Sequence, residues 1–207
     1  MRNTNHIIEQ SREFVLELLK KRLAPWTMYH DVRHTEETVE ACRDIGKASN
    51  LDAGQLEIVM LAAWFHDTGY TERVTGHEER SVEIAAAFLL DKRYPPQGIE
   101  AISACIMATM MPQTPNNIME QVICDADMVY LGKKEFFEKN DLLKAEIEKR
   151  ERRLIPEAEW LMRSIDFLSG QSYHTEYAKK NLQDGILTNI GILRGQLERI
   201  AGQEPGP

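Results

Sequence analysis

Apolar residues recur at intervals of three and four along almost the whole chain, and no stretch alternates apolar and polar residues convincingly. That periodicity dictates amphipathic helices and leaves no material for a sheet. In "IIEQSREFVLELLKKRL", Ile7, Phe14 and Leu18 share one face, and Pro25 marks the end of the helix. A second helix is expected from Asp31, as N-cap, to about Ala48. "LDAGQLEIVMLAAWFHD" predicts a third, stopped by Gly69, and "EERSVEIAAAFLLDKR" a fourth, between the turn at Gly76 and Pro95-Pro96. "QGIEAISACIMAT" predicts a fifth, and "MMPQTPNN" a loop, because its prolines and asparagines forbid a continuing helix. "IMEQVICDADMVYLG" predicts a sixth, interrupted at Gly132. Two or three more helices are expected from Phe136 to Ile200, with Pro156 in a first turn. The expectation is a single all-α domain over residues 1–201, with residues 202–207 a flexible tail.

The 207 residues suffice for one hydrophobic core, and 43% apolar against 28% charged residues is the balance of a globular chain. Net charge is −8, and no basic face is evident, so nucleic acid is not an expected partner. The densest basic stretch, "KAEIEKRERR" from Lys144, alternates with glutamates and reads as a solvated helix. An anionic substrate would therefore need a local positive centre, which a bound metal can supply. Cys42, Cys105 and Cys124 lie far apart in apolar segments, as small core residues of a reducing compartment do. No run is long enough for a membrane span, and "MRNTNHIIEQ" lacks the apolar core of a secretory signal. The expected location is the cytoplasm, with no membrane partner; a homodimer is compatible with the sequence.

Four of the six histidines fall between His30 and His77. "YHDVRHTEETV" sets His30 and His34 four apart, on one face if a helix includes both. "WFHDTG" places His66 and Asp67 where an apolar helix ends, and "VICDADM" offers Asp125 and Asp127 after another apolar run. Two imidazoles and two carboxylates carried on helices suit a divalent metal with open positions for water. Any one of these residues alone would more often be a capping, surface or core group.

In that order and spacing, "YHDVRHTEETV", "FHDTGY" and "CDADMVYLG" resemble the HD superfamily of metal-dependent phosphohydrolases, over residues 29–132. The first segment is similar to the YHNxxHxxxV segment of the cyclic-nucleotide phosphodiesterases in that superfamily. The resemblance implies that His34, His66, Asp67 and Asp127 ligate one divalent ion, whether Mn, Mg, Fe, Co, Ni or Zn. Asp127 is preferred because it holds the Ala-Asp-Met position, and Asp125 would project about 200° away on a helix. For Asp125 the resemblance leaves a capping or supporting hydrogen bond. Asp67 would also orient or deprotonate the attacking water. His30 matches the proton donor to the leaving group, with an ordinary helix-start histidine as the alternative.

His77 matches one histidine of a second metal site in dinuclear relatives, but Ala108 and Thr109 stand where the other is expected. A mononuclear centre is implied, with His77, Arg33 and Arg80 left as candidates to bind phosphate or a weaker second ion. The guanosine-tetraphosphate hydrolases carry an acid shortly after the motif, where Gly69 stands. Tyr70 takes the place of a further phosphodiesterase histidine, so neither substrate class transfers. Tyr173 and His174 read as packing residues. The implied activity is hydrolysis of a phosphomonoester or phosphodiester, of a nucleotide or similar small molecule. The alternatives are a non-catalytic nucleotide-binding signalling module and a di-iron oxygenase, which the missing second histidine disfavours.

Overall fold

The computed structural model describes residues 4–202, and the predicted tail residues 203–207 lie outside them. Among the described residues the chain is all-α, with helices α1 (Thr4–Arg22), α2 (Val32–Ala48), α3 (Ala53–Phe65), α4 (His77–Asp91), α5 (Pro96–Ala108), α6 (Ile118–Asp127), α7 (Phe136–Glu151), α8 (Glu157–Ser169) and α9 (Glu176–Ala201). Two short 3-10 turns, Thr68–Thr71 and Val129–Gly132, follow α3 and α6.

Local chemistry sets the helix starts. The Asp31 carboxylate accepts the N–H of His34 at 2.9 Å and caps α2. Asp52 and Gln55 form a reciprocal capping box at α3, each accepting the other's backbone N–H. Asn117 accepts from Met119 and Glu120 at α6, and Pro96 fills the first turn of α5, where a missing N–H costs nothing. Two boundaries differ from the periodicity. α6 stops at Asp127 and continues as a 3-10 turn to Gly132. Pro156 lies just before α8 instead of inside it.

The apolar side chains form two clusters. The first joins α1 to α6, with Val15, Val59, Leu61, Phe65, Ile106 and Ile123 fully buried. Burying each contributes about 1.5–3 kcal/mol relative to exposure. α3 runs through its centre and touches α1, α2, α5 and α6, which explains a helix apolar on every side. The three cysteines are free and buried.

The second cluster gathers Leu131, Phe136, Leu161, Leu168 and Ile186 from the later helices, with Tyr29 from the entry to α2. The clusters meet along the 3-10 turn after α6. A Cβ at Gly185 would sit 2.0 Å from the Gly132 carbonyl oxygen, so main chain touches main chain there. Asn189 donates to the carbonyls of Leu131 and Lys133 at 2.8 and 3.1 Å. Tyr173 Oη accepts from Gly132 N and donates to Met128 O, both at 3.0 Å. No helix among the described residues is long and apolar enough to cross a membrane.

Candidate metal centre

His34 sits in the first turn of α2, His66 and Asp67 directly follow α3, and Asp127 is the last residue of α6. Their polar atoms converge. His34 Nε2 lies 3.2 Å from His66 Nε2, 3.3 Å from Asp67 Oδ2 and 3.2 Å from Asp127 Oδ1. His66 Nε2 lies 3.2 Å from Asp67 Oδ2 and 3.5 Å from Asp127 Oδ1. A metal about 2.0–2.2 Å from each donor spaces neighbouring donors about 3.0–3.5 Å apart. His34, His66 and Asp127 form a group that could hold a metal ion, and Asp67 meets both histidines.

Hydrogen bonding leaves this cluster rich in lone pairs. His66 Nδ1 donates to the Ala63 carbonyl at 2.8 Å, which turns the Nε2 lone pair inward. Asp67 Oδ2 is buried without a hydrogen-bond partner, a costly state for a carboxylate oxygen unless a cation sits beside it. Burial opposes charge on His34 and His66, yet the neighbouring Asp67 and Asp127 outweigh it and raise both histidines, His66 strongly. Burial likewise opposes charge on the carboxylates, and the histidines outweigh it, holding Asp67 well below its usual range and Asp127 down at about 2. A divalent ion, which would take the place of the protons on these histidines, fits the donor set.

The turn after α3 is built by close approach. A Cβ on Gly69 would fall 2.0 Å from the carbonyl oxygen of His77, so only glycine lets the start of α4 come so near. Gly69 N–H donates to Ser81 Oγ at 2.8 Å, and Thr68 Oγ1 donates to Phe65 O at 2.7 Å. His77 Nδ1 donates to Val74 O at 2.9 Å, which leaves Nε2 at 3.4 Å from Asp67 Oδ1.

Above the donors opens a cavity of about 150 Å³, lined among others by His30, Asp67, His77, Thr109 and Asp127. Tyr70 lies between the two histidines, stacked on His30 at 4.1 Å and tilted against His77 at 4.2 Å. His30 precedes the Asp31 cap, so it does not share a helix with His34. Its position comes from Glu146. Glu146 Oε1 lies 2.5 Å from His30 Nδ1, and Oε2 accepts the backbone N–H groups of Met28, Tyr29 and His30 at 2.9, 2.8 and 3.1 Å. Glu146 is 1% exposed and belongs to the stretch that reads as a solvated helix. That reading is corrected here, because the charge pattern of α7 does not reveal which glutamate its packing buries. Burial opposes Glu146's charge, but His30 and the backbone N–H groups together outweigh it and lower its pKa.

The protein superposes on the crystal structure of a predicted HD superfamily hydrolase from an uncultured Thermotogales bacterium, with a TM-score of 0.59. The match covers 90% of this chain and 91% of that one at 17% identity. This chain has the HD-domain fold. No protein-family model and no curated protein matches the sequence.

The HD-domain fold leaves both predicted arginines outside the site. Arg33 donates to Glu138 at 3.0 Å on the exposed surface. Arg80 is held by Glu72 at 2.8 and 2.9 Å and by Glu83 at 2.5 Å. It faces a different groove, floored by Phe14, Leu18 and Phe88. Neither lines the cavity over the donors, and both guanidinium groups are paired with carboxylates. Asp125 is turned away as well and accepts the N–H groups of His174 and Thr175 at 2.7 and 2.8 Å. His174 thus supplies its main chain, and Tyr173 ties the 3-10 turn to the later helices. Thr109, which lines the cavity, donates its hydroxyl to Ile106 O at 2.8 Å.

Proposed function

We propose that this protein is a metal-dependent hydrolase of phosphoesters. The observation that carries the reading is the buried convergence of His34, His66, Asp67 and Asp127 around an Asp67 oxygen with no hydrogen-bond partner. These four residues would hold one divalent ion, which lowers the pKa of water and polarises a phosphoryl oxygen.

The protein's own groups supply the rest. Asp67 Oδ1 faces the cavity and His77, where it orients the attacking water or takes its proton. His30 has Nδ1 committed to Glu146, so Nε2 is the nitrogen that gives a proton to the departing oxygen; such transfer contributes about 10²–10⁴-fold. His77 Nε2 steadies the phosphate. The substrate expected is a small phosphoester, of a nucleotide or similar molecule. Ala108 and Thr109, standing where a second-site histidine is expected, favour as the second reading a module that binds such a ligand and signals without turnover.

Metal content and turnover of a phosphoester panel with manganese, cobalt or magnesium separate the two. Asp67→Ala should lose the metal and at least about 10³-fold in kcat/KM. Hydrolysis retained by that variant with no metal bound would sink the hydrolase assignment. A metal-loaded wild type that turns over nothing on the panel favours the signalling module.

A further inference from the structure

The cavity over the donor cluster is lined by acids, histidines, aromatic rings and thioethers, and by neither lysine nor arginine. Its acids are Asp67, Asp127 and Glu78. One divalent ion with His30 and His77 can offset a single phosphoryl group. Each further phosphate would enter with its charge uncompensated, against Glu78, in a site where water screens poorly.

The outer wall is of opposite character. Met111, Met128, Leu143 and Phe167 line the same cavity, and Met111 and Phe167 are 43% and 38% exposed. Large apolar side chains left open at the mouth of a polar cavity are the usual mark of a ligand's apolar part. Leu143 and Phe167 come from α7 and α8, whereas the donors come from α2, α3 and α6. The cavity therefore has a charged floor and an apolar roof, and the roof draws Leu143 and Phe167 from helices that carry no donor, beside Met111 and Met128 from the donor half. At about 150 Å³ it has room for a phosphoryl group and part of what that group is esterified to, the remainder reaching the opening.

We infer that the cavity takes a phosphoester with one phosphoryl group whose alcohol portion is uncharged and apolar, a ring or alkyl chain seated against Met111, Leu143 and Phe167. It refuses nucleoside diphosphates and triphosphates. The phosphoryl end rests on the hydrolase reading above; the apolar roof does not need turnover.

Calorimetric titration of manganese-loaded protein, freed of excess metal, with inorganic phosphate, phenyl phosphate, methyl phenyl phosphate, AMP and ADP tests this. Phenyl phosphate or its methyl diester should bind at least about tenfold more tightly than inorganic phosphate, and the stronger of the two identifies a monoester or a diester site. AMP should bind several-fold more tightly than ADP. Phe167→Ala, a change at the exposed rim, should reduce the preference for phenyl phosphate over phosphate to about twofold. Equal binding of phenyl phosphate and phosphate, tighter binding of ADP than AMP, or a preference that survives in Phe167→Ala each overturns the inference. If the binding order holds but no phosphoester is turned over, the roof stands and the hydrolase reading fails. Turnover with the order reversed has the opposite meaning.

Discussion

The two apolar clusters contribute to the site in unlike ways. The first, α1 to α6, carries the four converging donors and His77. The second, α7 to α9, carries no donor to the cluster, yet it supplies Glu146, Leu143 and Phe167. Those residues decide how His30 is held and what roofs the cavity. A donor set demands particular atoms at particular places, and so leaves a mark in the sequence. Holding and roofing require only ordinary residue types, a glutamate on a charged helix or a phenylalanine at a rim.

If the second half acts through His30, Glu146→Ala has the largest effect of changes there. It strands a half-buried imidazole and three N–H groups, and should lower stability by about 2–4 kcal/mol. It should also lower kcat/KM by about 10²-fold or more, with metal content unchanged. Full activity in Glu146→Ala would dissolve the contrast between the halves. Glu146→Gln keeps an acceptor for the N–H groups and isolates the charge. Because the folded state lowers the Glu146 pKa, the stability it gives is present above its ordinary value of 4.5 and is lost as pH falls through the lowered one. The difference in unfolding free energy between wild type and Glu146→Gln should therefore shrink between pH 6 and pH 3, followed by urea denaturation; a constant difference would remove the role of its charge.

Gly185→Ala tests the seam. With a Cβ 2.0 Å from the Gly132 oxygen, the unfolding temperature should drop by about 5–10 °C; a drop under about 2 °C would show that the halves yield to each other. The smallest effects are expected from Arg33→Ala and Arg80→Ala. Both side chains are paired on the surface away from the cavity, so kcat/KM should stay within about twofold. A loss above tenfold in either would return that arginine to the site.

Helix order and capping were legible because they follow local rules. Asp31 is the cap that the sequence predicts, and Pro95-Pro96 and the loop over Met110–Asn117 fall where those rules put them. The end of α6 was less so, since Val129, Tyr130 and Leu131 keep an apolar run going whether the turn is α or 3-10. His34, His66, Asp67 and Asp127 could be named from spacing and resemblance, and the fold brings them together. Glu146 could not, because it is one of many glutamates among lysines and only the packing of α7 against residues 28–30 singles it out. The placement of the arginines was illegible for a related reason. Their partners Glu138, Glu72 and Glu83 satisfy them through pairings that motif spacing does not register.

The contact of Gly132 with Gly185 is between main chains, and Tyr173 and Asn189 fasten the same turn with side-chain hydrogen bonds. Leu143 and Phe167, which line the cavity, come from α7 and α8 and not from this seam. A chain divided this way can vary part of its cavity lining while keeping the helices that carry the donor cluster, and the glycine seam is where those two parts are joined.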